Sequence, residues 1–276
     1  MFKSLNTRNR IMILTTILSI AYVVVQEIDF RVLLDLNLNF DPVSPLILAI
    51  LIYLGTFWTL FFKVRGERFI TVLLFPAISV FALSLLAELI TASVFSNVGQ
   101  FGIVFMSAII HWVFIYVTLL TVNILNTAYL EDIPLGQAAR AAQFVLILVI
   151  GYVYFFILFS NDIFILFRLG GLAMISFLLM YIALWSIKLK ISQRLIASAN
   201  IALFILLAAA VLSIWPVTAP YIALVLSLIL YINLGISLEI REIISKWIMI
   251  EYISLFFLIV IMLILVAEWG INGVII

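Results

Sequence analysis

The chain contains no cysteine, a single histidine and very little charge. Without cysteine there are no disulfides, no thiolate metal ligands and no cysteine nucleophile, and the redox compartment stays open. One histidine cannot build a multi-histidine metal centre, and no HExxH pair, Walker A loop, GxSxG elbow or aspartate-rich prenyl-diphosphate motif occurs. Serines are present, but no second histidine or placed lysine stands ready to activate one. No residue therefore earns a catalytic, cofactor-binding or metal-ligating role, no cofactor is expected, and enzymatic activity is disfavoured. Fourteen basic against 13 acidic side chains leave a net charge of +1, with no basic stripe that nucleic acid would need.

Charged residues make up 10% of the chain, against about 25% in an ordinary soluble domain. Hydrophobic residues fill the difference, at 67%, with a mean hydropathy of +1.40. Such a chain cannot cover a water-facing surface. It reads as an all-α, polytopic membrane protein in which residues 1–276 form one membrane domain joined by short loops. A helix needs about 20 apolar residues to cross the hydrocarbon, and the charges divide the chain into nine such stretches. These are 11–25, 46–62, 69–95, 101–125, 141–159, 169–187, 195–215, 221–238 and 247–267. The first is short and follows Lys3, Arg8 and Arg10, as a signal peptide would, but no small-x-small cleavage site follows it, so it reads as retained.

Basic residues favour the cytoplasmic side of a membrane. With nine spans and the N-terminus inside, Lys3, Arg8, Arg10, Lys63, Arg65, Arg68, Arg140, Lys188, Lys190, Arg194, Arg241 and Lys246 all fall inside, and only Arg31 and Arg168 fall outside. Removing or merging one span would invert every later loop and destroy that asymmetry. The C-terminus then lies outside. Trp58, Trp185 and Trp247 sit toward inner ends and Trp215 and Trp269 at outer ends, where indole favours the headgroups. Trp112 is the exception, deep in the fourth span beside His111. Ser44 and Pro45 open the second span, Asp132 and Pro134 start the helix leading into the fifth, and Pro76 is expected to kink the third.

Residues 28–40, "IDFRVLLDLNLNF", alternate apolar and polar with the period of a strand that has one wet face. Fully extended they would reach roughly 43 Å, so the strip is expected to fold back or lie flat on the outer surface. Glu27, Asp29, Asp35 and Asp41 in the same loop allow a sharper reading, in which paired carboxylates act on a lipid-linked substrate. The run 237–247, "SLEIREIISKW", is amphipathic and reads as a helix along the inner surface, while the small residues of 130–143 allow close helix approach.

Ionisable groups inside a bilayer are costly and call for an explanation. Glu88 in the third span and His111 in the fourth lie at nearly the same depth in a hairpin, differing by roughly 3 Å at the helical rise. They form a candidate proton relay or cation site, or simply a hydrogen bond that locks the hairpin. Asn123, Asn126, Gln143, Asn200, Asn233 and Glu251 come from five spans yet share the inner half. They read as interhelical glue or as the lining of an inward-facing polar cavity.

Four stretches also resemble a known family: "RFITVLLFPAISVFALSLL" (68–86), "YVTLLTVNILNTAYLEDIPLGQAARAAQFVL" (116–146), "VLSIWPVTAPYIALVLSLILYINLG" (211–235) and "IEYISLFFLIVIMLILVAEWG" (250–270). The more specific parts are Asn123 and Asn126 followed by Pro134 and Arg140, and Trp215-Pro216-Val217. Together they resemble a family of uncharacterised polytopic integral membrane proteins of candidate-phyla bacteria with reduced genomes. That resemblance implies a bacterial plasma (cytoplasmic) membrane and carries over no site.

Three functions follow as expectations. The first is a small-molecule or lipid transporter using the inner polar set and the Glu88–His111 pair, with membrane lipids and its substrate as partners. The second is a non-enzymatic scaffold or subunit of a membrane or envelope complex, with a membrane-protein partner. The third is an enzyme using the outer carboxylates. The topology is directly testable. Reporter fusions at Gly66, Gly99, Lys190 and Ile276 should read inside, outside, inside and outside, and any single reversal would break the nine-span count.

Overall fold

A computed structural model of the chain describes residues 7–26, 43–60, 64, 66–92, 97–130, 135–161, 163–187, 189–239 and 246–266. The strip at 28–40 with its four neighbouring carboxylates lies outside the described residues, as does the central part of the run at 237–247. In hydrocarbon a backbone N–H or C=O has no water to bond, so an apolar run satisfies its backbone within its own helix. The described residues accordingly form helices and no strands. They are α1 (Thr7–Gln26), α2 (Val43–Thr59), α3 (Arg68–Ala92), α4 (Asn97–Leu130), α5 (Leu135–Ser160), α6 (Ile165–Trp185), α7 (Ile191–Leu212), α8 (Ala219–Glu239) and α9 (Lys246–Val266).

Seven stretches are long and apolar enough to cross a membrane: Thr7–Val25, Phe69–Thr91, Gly102–Ala128, Leu135–Ser160, Ile165–Trp185, Ile191–Leu212 and Ala219–Ser237. Two shorter apolar helices, Val43–Thr59 and Ile250–Leu265, fall where the second and ninth spans are expected. The chain is thus a multi-pass helical membrane protein. Several helices outrun the apolar stretches that announced them. The 34 residues of α4 extend to roughly 51 Å at the helical rise, well beyond a hydrocarbon layer of about 30 Å. Helix α3 runs through Pro76 without interruption.

The chain divides into two compact units, Met1–Leu146 and Ile147–Ile276. In the first, α1 packs on α2 and α4, and α3 packs on α2 and α4, so the four helices close a ring. Its core joins Ile11, Leu14, Leu18 and Tyr22 of α1 to Leu48 and Ile52 of α2, Ala77 and Val80 of α3, and Ile115 and Leu119 of α4. Gly66 turns the chain between α2 and α3 at φ +63°, a conformation that costs a residue with a Cβ. In the second unit α6, α7 and α8 pack on one another, and α9 packs on α8.

Arginines tie neighbouring helix ends together. At the start of α1 the buried Arg10 donates from Nη1 to the Trp58 carbonyl near the end of α2, at 3.3 Å, with its guanidinium 5.3 Å from the indole centroid. Arg168, at the start of α6, donates to the Asn161 carbonyl just past α5 at 3.2 Å and lies over Phe159. Arg194, at the start of α7, lies over Tyr181 near the end of α6. A cation at a helix C-terminus meets the negative end of the dipole, and a guanidinium stacks well on an aromatic face.

Candidate functional site

Most hydroxyls in the helices bond to the carbonyl one turn back on their own helix. Thr15, Ser19, Thr56, Ser79, Thr91, Thr127, Ser213, Ser227 and Ser237 all do so, at 2.7 to 3.0 Å. Such a hydroxyl needs no partner on another helix. Among the described residues Thr118, Ser176 and Ser198 are buried without a partner for the hydroxyl, and a few other polar side chains join one helix to another.

His111 is the centre of one exception. It is 2% exposed in the middle of α4, and its ring stacks on that of Tyr22 from α1, with centroids 4.1 Å apart and planes at 20°. Its Nδ1 lies 2.8 Å from the carbonyl oxygen of Ser107, one turn back, and its Nε2 lies 3.1 Å from Ser84 Oγ on α3. A carbonyl only accepts, so Nδ1 carries the proton. In the neutral ring Nε2 is then an acceptor, and the Ser84 hydroxyl donates to it. Three helices are therefore pinned at one imidazole: α4 carries it, α3 donates to it and α1 covers its face.

Both ring nitrogens are thus engaged by serine groups, which gives the depth argument for Glu88 and His111 a different outcome. Ser84 is one turn from Glu88 on the same face of α3, and it makes the bond. Glu88 is half-buried and its charge acts on the buried Tyr22 hydroxyl, which the Ser107 side chain neighbours. Trp112, the tryptophan out of place at mid-depth, donates from Nε1 to Thr16 Oγ1 of α1 at 3.3 Å. Thr16 donates in turn to the Met12 carbonyl at 3.0 Å, so the indole N–H is satisfied without reaching a headgroup.

The remaining polar set is spread across the helices. Asn126 and Gln143 are buried in the first unit, on α4 and α5, and Asn123 is half-buried there. In the second unit Asn233 is half-buried on α8, while Asn200 on α7 and Glu251 on α9 are exposed. Of the last three, Asn233 lines a cavity of about 470 Å³. Phe204 of α7, Ile229, Ile232 and Ile236 of α8, and Tyr252, Ile253 and Phe256 of α9 form its other walls. The lining is almost wholly apolar. Asn233 donates from Nδ2 to the Ile229 carbonyl at 2.8 Å, which leaves Oδ1 as the acceptor at this wall. Gly235 lets Tyr252 approach, because a Cβ there would collide with the Tyr252 hydroxyl.

Tyr22, Ser84 and Ser107 were not singled out from sequence, nor were the apolar walls of the cavity. Ser107 and Ser84 carry a local signal, one turn from His111 and Glu88 respectively, whereas Tyr22 lies on a helix far away in sequence. No family model, curated protein or solved structure matches the chain.

The clamp makes an asymmetric prediction. Ser84→Ala removes the donor and orphans a buried Nε2, which should cost about 1–3 kcal/mol. His111→Phe keeps a ring against Tyr22 and frees Ser84 to turn onto its own helix like the other serines, so it should cost less. The Ser84→Ala/His111→Phe pair should then lose little beyond His111→Phe alone, as read by unfolding in detergent. Strictly additive losses, or a silent Ser84→Ala, would contradict the geometry.

Proposed function

We propose that the chain is a lipid transporter of the plasma membrane, which takes an acyl chain from the bilayer into the groove between α7, α8 and α9. The observation that carries this reading is the groove itself. Its volume falls within the range of about 300–1,000 Å³ typical of ligand pockets. Walls of phenylalanine and isoleucine do not hold water, and for a helix bundle in a membrane the neighbouring molecule is hydrocarbon. Asn233 Oδ1 places one acceptor in an otherwise apolar wall, which an N–H or O–H group of a lipid headgroup can meet. The apolar lining favours a lipid over a polar solute, which narrows the small-molecule reading taken from the inner asparagines.

The same proposal includes nine crossings, with the N-terminus inside and the C-terminus outside. Helix α2 has 17 residues, roughly 25 Å at the helical rise, and spans of about 17–25 residues are sufficient. Its position in the ring supports this reading, since it packs on both α1 and α3 and its last turn meets the start of α1 at Arg10. The basic residues supply the orientation. The family resemblance supplies the bacterial membrane.

One observation favours the scaffold as a second reading. His111 has both nitrogens engaged within the helix bundle, as a packing element would, and so offers no open site for a transported proton or cation.

A flux assay separates the two. Reconstituted into phospholipid vesicles, the protein should speed transbilayer movement of a fluorescent phospholipid. Ile232→Trp with Ile253→Trp, which fills the groove, should slow that movement by roughly an order of magnitude while the helical content is kept. Movement no faster than in protein-free vesicles would sink the transport reading and leave the scaffold.

A further inference from the structure

Helix α7 carries an exposed seam with a polar residue at its centre. Gln193, Ile196, Asn200, Leu203 and Leu207 recur at alternating spacings of three and four, and all are exposed, with Ile196 at 63%, Leu203 at 52% and Leu207 at 58%. On the opposite face Arg194, Ser198, Ile201, Ile205 and Ala209 are buried in the second unit, while Leu195, Ala199 and Phe204 flank the seam and are exposed. Alternation by three and four is the 3.5-residue repeat along which two helices wind about each other, knobs into holes. Leucines on an apolar helix would satisfy that spacing by chance. Asn200 is the residue that decides.

It sits near the middle of a 22-residue helix, with apolar neighbours one turn away on either side. Asn161 and Asn233 each donate to a carbonyl of their own chain one turn back. Among the described residues the Asn200 carboxamide has no such bond. In acyl chains it has no water either, and an unsatisfied amide in hydrocarbon is costly. Side-chain amides in membrane helices serve to join one helix to another. A single asparagine on an otherwise apolar seam also sets register and oligomeric state.

The partner follows from the chemistry of the amide and from the membrane. All copies of a chain insert with the same orientation, so a twofold axis along the membrane normal brings α7 beside α7 in parallel. Each seam residue then meets its own copy at its own depth. A carboxamide is complementary to itself, since the N–H of one donates to the oxygen of the other. We propose that the chain forms a homodimer in the membrane through α7, with Asn200 paired across the axis and Ile196, Leu203 and Leu207 packed around it. The dimer does not depend on what the groove of the second unit binds.

The absence of native cysteine allows a clean test on the full-length protein in its membrane. Leu203→Cys and Leu207→Cys should cross-link to dimers on oxidation, and Leu195→Cys, exposed but off the seam, should cross-link far less. In the Leu203→Cys background Asn200→Leu should weaken the dimer, raising its dissociation constant in detergent by roughly three- to tenfold, while Asn200→Gln keeps it. Equal yields at all three cysteines, or no dimer at the seam, would overturn the proposal. So would a chain that stays monomeric while Asn200→Leu lowers its thermal stability, because the amide's partner would then lie within the same chain.

Discussion

In hydrocarbon a polar group has only the protein to bond, and the described structure follows from that constraint. The backbone answers it by helix formation, and most of the serine and threonine hydroxyls answer it one turn back. Thr15 on the Ile11 carbonyl and Ser227 on the Ala223 carbonyl are two of many such bonds. These groups cost little and join nothing. Specific association between helices is left to the few side chains with no carbonyl of their own to fall back on, and to the fit of the apolar surfaces.

His111 is the strongest of these. An imidazole has two nitrogens on opposite sides of a ring, so a helix can satisfy one and must look elsewhere for the other. Here α4 satisfies Nδ1 through Ser107, α3 satisfies Nε2 through Ser84, and Tyr22 of α1 covers the face. The arginines play the corresponding part at helix ends. Arg10 on the Trp58 carbonyl closes the α1–α2 end of the ring in this way. Among the described residues Asn200 stands apart from these, a polar group at mid-helix that lies exposed on α7 with no bond to a carbonyl of its own helix.

The helices were legible in the sequence because the constraint acts on every residue of a span: long apolar runs between charges leave no other backbone solution. Their ends were less so. The α4 helix continues past the last apolar run to Leu130, with Asn123, Asn126 and Thr127 still helical. The depth of His111 could be read from helical rise, but its partner could not. Ser84 and Glu88 share a face of α3, and nothing local distinguishes which one meets the ring. The groove left no trace at all, since Ile229, Ile232 and Ile236 look the same whether they line a space or fill one. The inner asparagines were read as a group because they share a depth. Only the rotation of each helix shows that Asn233 lines the groove while Asn200 faces away from its own unit.

The claim on which this account rests is that buried polar groups are held by the chain in a defined arrangement, and His111 is where it is sharpest. As the only histidine, it gives a single residue's signals when the protein is labelled with ¹⁵N-histidine and placed in lipid. The geometry predicts one tautomer, with the proton on Nδ1 and an unprotonated Nε2 whose shift marks a hydrogen bond accepted from Ser84, and it predicts that Ser84→Ala moves the Nε2 resonance alone. A proton on Nε2, or a tautomer mixture that Ser84→Ala does not change, would contradict it.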